Sequence, residues 1–223
     1  MPDMRLFAIS VLVAVSTVSI IQPVASRERG GTREDAIIDS AMTESRAFDG
    51  LDPECPDEIR NRQKLITVLY YSFDLKIHQG QLVMDGELAQ DIRKIFELAL
   101  KEKFPIQSVL PISHAKFRKD GRWDDDLSMA ANNTSGFNYR LITGGTKLSN
   151  HAYGRAIDIN PVQNPYIKGE LVLPSGADYD ATRAGTLTAD HVITKAFLEL
   201  GWEWGGNWDT RKDYQHFEKP QRK

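Results

Sequence analysis

The segment K-L-S-N-H-A-Y-G-R-A-I-D-I-N, residues 147–160, places an imidazole and a carboxylate close together in the chain. Asp158 lies in the strand-like pattern A-I-D-I-N, in which the two isoleucines face one side of the strand and Asp158 faces the other. Gly154 permits the preceding backbone to turn back, so that His151 can approach Asp158. A turn followed by a strand therefore predicts two metal ligands aimed at one point.

A third ligand is offered by the segment D-Y-Q-H-F-E, residues 213–218. Catalytic zinc usually takes three protein ligands and leaves its fourth position to water or substrate. His216 shares a strand face with Glu218, and we expect it to complete the ligand set. Asp213 can reach a water on the metal and remove its proton without ligating the metal itself. Glu218 can orient a ligand histidine or be a surface charge.

Together the two segments resemble the VanY-like zinc peptidases, which are D-alanyl-D-alanine carboxypeptidases and L-alanyl-D-glutamate endopeptidases. The fold of that family is shared with the hedgehog signalling domain. Its pattern is S-x-H-x-x-G-x-A-x-D, followed downstream by an acid three residues before a second histidine. The first element is met by Ser149, His151, Gly154, Ala156 and Asp158. The resemblance runs from about residue 65 to residue 218.

The resemblance implies a role for each candidate residue of the site. The zinc ligands of the family correspond to His151, Asp158 and His216. Its catalytic acid corresponds to Asp213, which would act as general base and then as general acid. Its substrate-binding arginine corresponds to Arg140, which would stabilise the oxyanion or grip a substrate carboxylate. Ser149 would hydrogen-bond a substrate carboxylate or only orient its loop.

The implied activity is hydrolysis of peptide bonds in peptidoglycan stem peptides by a metallopeptidase with one zinc ion. Carboxypeptidase and endopeptidase activity both remain open, because an aspartate at position 213 favours the endopeptidases and an export signal favours a wall-remodelling carboxypeptidase. The alternative is a non-catalytic, hedgehog-like module that binds metal or the cell wall. The acid at Asp213 favours the enzyme, because a binding module needs no proton acceptor beside the metal.

The rest of the sequence predicts an α+β domain of the hedgehog/DD-peptidase type, with a mainly antiparallel sheet flanked by helices around a single zinc site. The predicted strands, besides those of the site, cover residues 65–73, 76–84 and 106–112, the first two as a hairpin. Apolar residues at helical spacing predict helices over residues 87–104 and 189–201. Residues 113–148 are polar and rich in Asn, Asp and Gly, so we expect a long surface segment there.

The first residues predict export. An uncharged apolar run follows Arg5 and reaches small residues at positions 25 and 26, which is the layout of a secretory signal. We therefore expect a signal peptide over residues 1–26, a linker or flexible arm over 27–57 and a zinc peptidase domain over 58–223. The protein would be periplasmic or extracellular without stable membrane insertion, and an uncleaved N-terminal anchor is the alternative.

Composition argues against nucleic acid as a partner and excludes an intrachain disulfide as a source of stability. The net charge of -3 and the pI of about 6.0 give no basic surface for nucleic acid, so the expected partner is a peptidoglycan peptide, bound by a monomer. Cys55 is the only cysteine, so no disulfide can form within one chain. An exported chain of this kind must be held together by its core or by metal.

Overall fold

A computed structural model describes residues 30–221 of the chain. The predicted signal peptide, residues 1–26, lies outside these residues. The helices are α1 (Glu44–Ala47), α2 (Asp57–Arg62), α3 (Ala89–Lys101), α4 (Asp125–Ala130) and α5 (Val192–Glu199). No helix of the described part is both long enough and apolar enough to cross a membrane.

The strands are short apart from one hairpin. They are β1 (Ile37–Ile38), β2 (Gln63–Tyr71), β3 (Ile77–Asp85), β4 (Ser108–Val109), β5 (Arg118–Lys119), β6 (Arg122–Trp123), β7 (Asn133–Thr134), β8 (Ala156–Asp158), β9 (Tyr166–Lys168), β10 (Leu171–Leu173), β11 (Glu203–Trp204), β12 (Lys212–Asp213) and β13 (His216–Glu218). Most pairs are antiparallel, and β1–β3 and β4–β7 are parallel. The prediction of an α+β, mainly antiparallel structure is confirmed.

The predicted hairpin and the helix that follows it form one side of the core. β2 and β3 pair antiparallel from Gln63 opposite Asp85 to Tyr71 opposite Ile77. Asp85 accepts a hydrogen bond from the Glu87 amide and so caps a 3-10 turn that leads into α3. The buried face of α3 packs against β2 and consists of Ile92, Ile95, Phe96, Ala99 and Leu100. The helical spacing in the sequence had predicted this face.

The sheet that carries the candidate site has the order β11-β13-β8. Phe217 of β13 is fully buried and stacks on Phe197 of α5, with 4.0 Å between the ring centroids. Ile157 of β8 is opposite Phe217 and is also fully buried. These apolar side chains fix one face of the strands in the core, so the alternate residues of β8 and β13 are held on the other face.

The prediction of a long surface segment over residues 113–148 is only partly right, since residues 141–147 are exposed but residues 132–138 are buried. This segment holds α4 and three short strands, and it buries Phe117, Phe137 and several polar residues. Asn133 is fully buried. Its side-chain oxygen accepts a hydrogen bond from the Leu110 amide, and its side-chain nitrogen donates one to the Leu110 carbonyl oxygen. Polar composition indicated solvent, but a polar side chain can be buried where its hydrogen bonds are satisfied.

Two other expectations differ from the structure. Only Ser108–Val109 of the predicted strand over 106–112 is a strand. Residues 27–57 were expected to be a linker or flexible arm, whereas the described part from residue 30 packs on the domain. There β1 pairs with β3, and Ala47 and Cys55 are buried against Val83 and Phe137. Short apolar groups separated by polar residues gave no periodic signal for this packing.

Candidate metal centre

Backbone pairing between β8 and β13 brings two of the predicted ligands together. The strands are antiparallel, and His216 lies directly opposite Asp158. Asp158 also exchanges two backbone hydrogen bonds with Ser135, of 2.9 and 3.1 Å. Asp158 is therefore held from both sides, and its side chain faces His216 with little freedom to move.

His151 approaches the same point from a 3-10 turn, Asn150–Tyr153. The Ser149 hydroxyl accepts a hydrogen bond of 3.3 Å from the His151 amide at the start of this turn. Gly154 ends it with a left-handed backbone, φ +64°. The turn then leads directly into β8, as the sequence had suggested.

The Gly154 position allows a specific stability prediction. A Cβ here would overlap Gln63 Oε1 and lie 2.6 Å from the Asp85 amide nitrogen. We expect Gly154→Ala to lower the free energy of unfolding by about 2 kcal/mol or more, because it adds a steric clash to the left-handed strain. Gly169→Ala is the matched control, since Gly169 has a similar φ of +59° and nothing within 4 Å of its Cβ position.

Chemical denaturation of both variants separates the clash from the backbone strain. Equal loss of stability in Gly154→Ala and Gly169→Ala would show that packing around the 3-10 turn contributes nothing.

The three candidate ligands present one donor atom each at close range. His216 Nδ1 lies 2.9 Å from Asp158 Oδ1, and His151 Nε2 lies 3.2 Å from both His216 Nδ1 and Asp158 Oδ2. Ligand atoms of a tetrahedral zinc site are separated by about 3.3 Å, given metal–ligand distances of about 2.0–2.1 Å. His151, Asp158 and His216 are all buried and form the group in residues 30–221 whose donors could hold a metal ion.

The outer nitrogen of each histidine has its own acceptor. His151 Nδ1 lies 2.7 Å from the Gly136 carbonyl oxygen, and His216 Nε2 lies 2.9 Å from Glu218 Oε2. Asn150 donates a further bond of 2.8 Å to Glu218. These acceptors favour a proton on each outer nitrogen, so that a metal ion would need to displace a proton only from an inner nitrogen, as on His216. Glu218 thus contacts the outer nitrogen of a candidate ligand histidine, as expected for one of the two roles the sequence allowed.

The electrostatics of the centre favour a positive charge. Burial opposes a charge on His216, but hydrogen bonds with Asp158 and Glu218 outweigh it and raise the pKa of this imidazole to about 10. Burial alone would raise the pKa of Asp158, yet His151 and His216 hold it well below its usual range. The carboxylates thus stay ionised, and the space between the donors attracts a cation. The residues present fit a metal ion.

Asp213 lies in the same cavity, at the end of β12, where it pairs with Tyr166 of β9. Its Oδ1 atom is buried and has no hydrogen-bond partner. Burial raises the pKa of this carboxyl to about 6, against the opposing effect of His216. A carboxyl group whose pKa lies close to neutral pH can both accept a proton and return it at that pH. The geometry therefore provides a proton acceptor beside the three ligands.

Comparison with known proteins agrees with this geometry. Residues 143–219 match a family model described as D-alanyl-D-alanine carboxypeptidase, a VanY-like peptidase family. This segment is similar to that family. It contains the three candidate ligands and Asp213. No curated protein and no solved structure gave a significant match to the chain.

Ser149 and Arg140 were also predicted for this site, and they differ in the contacts that their side chains make. Ser149 is buried beside the donors and caps the turn of His151, which is the orienting role that the sequence left open. Arg140 lines the cavity just before the peptidase segment, but its Nη2 lies 2.9 Å from Asp125 Oδ2. Its charge is therefore already partnered.

Sequence reasoning missed Arg211, which lines the same cavity. Its guanidinium carbon lies 4.3 Å from the centre of the Trp208 ring. The Trp208 ring in turn lies 5.4 Å from the His216 ring. The available signal was a cation two positions before Asp213, close to a tryptophan, but the sequence could not show which arginine remains unpaired.

Proposed function

We propose that the protein is a zinc-dependent peptidase that hydrolyses peptide bonds in peptidoglycan stem peptides, either as a D-Ala-D-Ala carboxypeptidase or as an L-Ala-D-Glu endopeptidase. The observation that carries this proposal is the convergence of three buried donors with the buried Asp213 Oδ1, which has no hydrogen-bond partner, in one cavity. The family match supports peptidase activity of the carboxypeptidase type. In this proposal the domain has the hedgehog/DD-peptidase fold, and the protein is exported and acts as a monomer.

The residues divide the chemistry between them. His151, Asp158 and His216 would hold the ion, which supplies polarisation of the scissile carbonyl and a lower pKa for water. Asp213 would take a proton from the attacking water and return it to the leaving amine. Glu218 and the Gly136 carbonyl hold the two imidazoles in the tautomer that ligation needs. Arg140 can add positive charge near the developing oxyanion only to the extent that Asp125 leaves it available.

Metal content and product analysis test the proposal together. Purified full-length protein should hold one zinc ion per chain, lose it to a chelator and lose peptidase activity at the same time. Digestion of purified peptidoglycan, followed by mass analysis of the released fragments, separates release of terminal D-alanine from cleavage between L-alanine and D-glutamate. Asp213→Ala loaded with zinc serves as the inactive control for contaminating hydrolases.

Two outcomes would contradict the proposal in different ways. Protein that binds no zinc under zinc-replete conditions at neutral pH has no metal-dependent activity of this kind. Protein that binds zinc and peptidoglycan but releases no fragment would instead be a binding module.

A further inference from the structure

Charge pairing within the cavity leaves one cation free. The charged groups that line it, besides the two histidines, are Asp125, Arg140, Asp158, Arg211, Asp213 and Glu218. Asp125 pairs with Arg140, and the histidines pair with Asp158 and Glu218. Within residues 30–221, Arg211 takes part in no ion pair and no hydrogen bond. An arginine in a cleft with no anionic partner is available to an anionic ligand.

Within the described residues, the recorded side-chain contact of Arg211 is with an aromatic ring and not with a hydrogen-bond acceptor. Its guanidinium lies over the Trp208 ring at 4.3 Å, where a cation–π contact stabilises it. A cation–π contact of this kind uses no N–H group as a hydrogen-bond donor. The guanidinium N–H groups form the planar fork that binds a carboxylate through two parallel hydrogen bonds.

Arg211 also lies at a useful distance from the metal ligands. The two ring spacings, 4.3 Å and 5.4 Å, place its guanidinium within about 10 Å of the His216 ring. An extended peptide advances about 3.3–3.6 Å per residue. A group bound by Arg211 would therefore belong to the substrate within about three residues of the scissile bond.

We propose that Arg211 binds a free carboxylate of the peptide substrate and so selects peptides that carry one close to the bond that is cut. This inference rests on the proposed peptidase function and assigns the recognition of substrate charge to Arg211 in place of Arg140. In a stem peptide the carboxylate has two sources, the C-terminal carboxylate and the α-carboxylate of a γ-linked D-glutamate. The shared chemistry is a carboxylate held by a guanidinium.

Kinetics on three matched stem peptides test the inference. One peptide has both carboxylates, one has the D-glutamate α-carboxylate amidated, and one has an amidated C-terminus. We expect Arg211→Ala to raise KM by about 10–100-fold on the first peptide with little change in kcat, the usual scale for a charge-assisted hydrogen bond pair. Arg211→Lys should recover part of the loss. Arg93→Ala removes the same charge from the exposed face of α3 and should behave as the wild type.

The amidated peptides identify the source of the carboxylate. One of the two amidations should raise KM for the wild type, and Arg211→Ala should cause no further rise on that peptide. The carboxylate removed by that amidation is the group that Arg211 binds. If Arg211→Ala raises KM equally on all three peptides, Arg211 does not read a carboxylate and the inference is wrong.

Equilibrium binding keeps this result separate from the question of turnover. Calorimetry with zinc-loaded Asp213→Ala compares the carboxylate and amidated peptides, in the presence and absence of Arg211→Ala. Tighter binding of a carboxylate form only when Arg211 is present supports the inference, even if the wild type cleaves none of these peptides. Absence of that preference overturns it, even if the wild type cleaves them all.

Discussion

Asp213→Ala is expected to keep the bound metal and to lose on the order of 100-fold or more in kcat, the scale of a lost general base. The three donors that surround the metal position come from His151, Asp158 and His216, and Asp213 is not among them. Its Oδ1 atom is buried without a partner in the same cavity. Removal of this carboxylate therefore takes away a proton acceptor and leaves the ligand set complete.

Stability should hardly suffer from the same change. A buried carboxylate oxygen with no hydrogen bond costs free energy in the folded state, so its removal offsets the loss of packing. We expect Asp213→Ala to melt close to the wild-type temperature, with equal zinc content by elemental analysis. Asp213→Asn is the matched variant, because it has the same shape and cannot accept the proton. Loss of zinc from either variant would mean that Asp213 is itself a ligand.

The convergence of the three candidate ligands could be predicted from the sequence because each part of it is local. Alternation in A-I-D-I-N fixes which face Asp158 occupies, and alternation in D-Y-Q-H-F-E does the same for His216. The neighbouring residues Ile157 and Phe217 are buried on the opposite face of the two strands, and this fixes the face that Asp158 and His216 occupy. The hairpin and α3 were predictable for the same reason, since their apolar residues repeat with one period over many positions.

The surroundings of the ligands could not be predicted in this way. Ser135 pairs with Asp158, and the Gly136 carbonyl accepts from His151, yet both lie in the segment that polarity marked as surface. Their contribution depends on backbone groups, which every residue type carries alike. Only the fold shows that this backbone reaches the site.

The availability of charge in the cavity is likewise a tertiary property. Arg140 and Arg211 are the same residue type, so the sequence does not distinguish them. In the structure, Asp125 lies 2.9 Å from Arg140, whereas Arg211 lies over Trp208. Asp125 is 15 positions from Arg140 in the chain, and no periodicity links them. The assignment of substrate recognition therefore depends on which pairs form when the chain folds.

His216→Ala is expected to lose metal, activity and metal-dependent stability together. Its imidazole supplies one metal-binding nitrogen, and its two ring nitrogens each lie 2.9 Å from a carboxylate oxygen, of Asp158 and of Glu218. Without it, the largely buried carboxylates of Asp158 and Glu218 each lose one of their partners, and the remaining donors are too few for a structural or catalytic zinc site.

Thermal unfolding with and without zinc measures this directly. A ligand at 1,000 times its dissociation constant stabilises a folded protein by about 4.1 kcal/mol, so the wild type should melt well above its zinc-free form. His216→Ala should show no such difference and should contain no zinc after equilibration in the same buffer. Its zinc-free form should also melt below the zinc-free wild type, because Asp158 and Glu218 each lose a hydrogen bond.

A second histidine provides the control for stability alone. His191 accepts a hydrogen bond of 3.2 Å from the Ile193 amide at the start of α5 and lies outside the site. His191→Ala should cost about 1 kcal/mol as a lost helix cap and should keep the zinc-dependent rise in melting temperature. A zinc-dependent rise in His216→Ala as large as that of His191→Ala would show that His216 does not ligate the metal, since only a lost ligand removes the coupling between binding and folding.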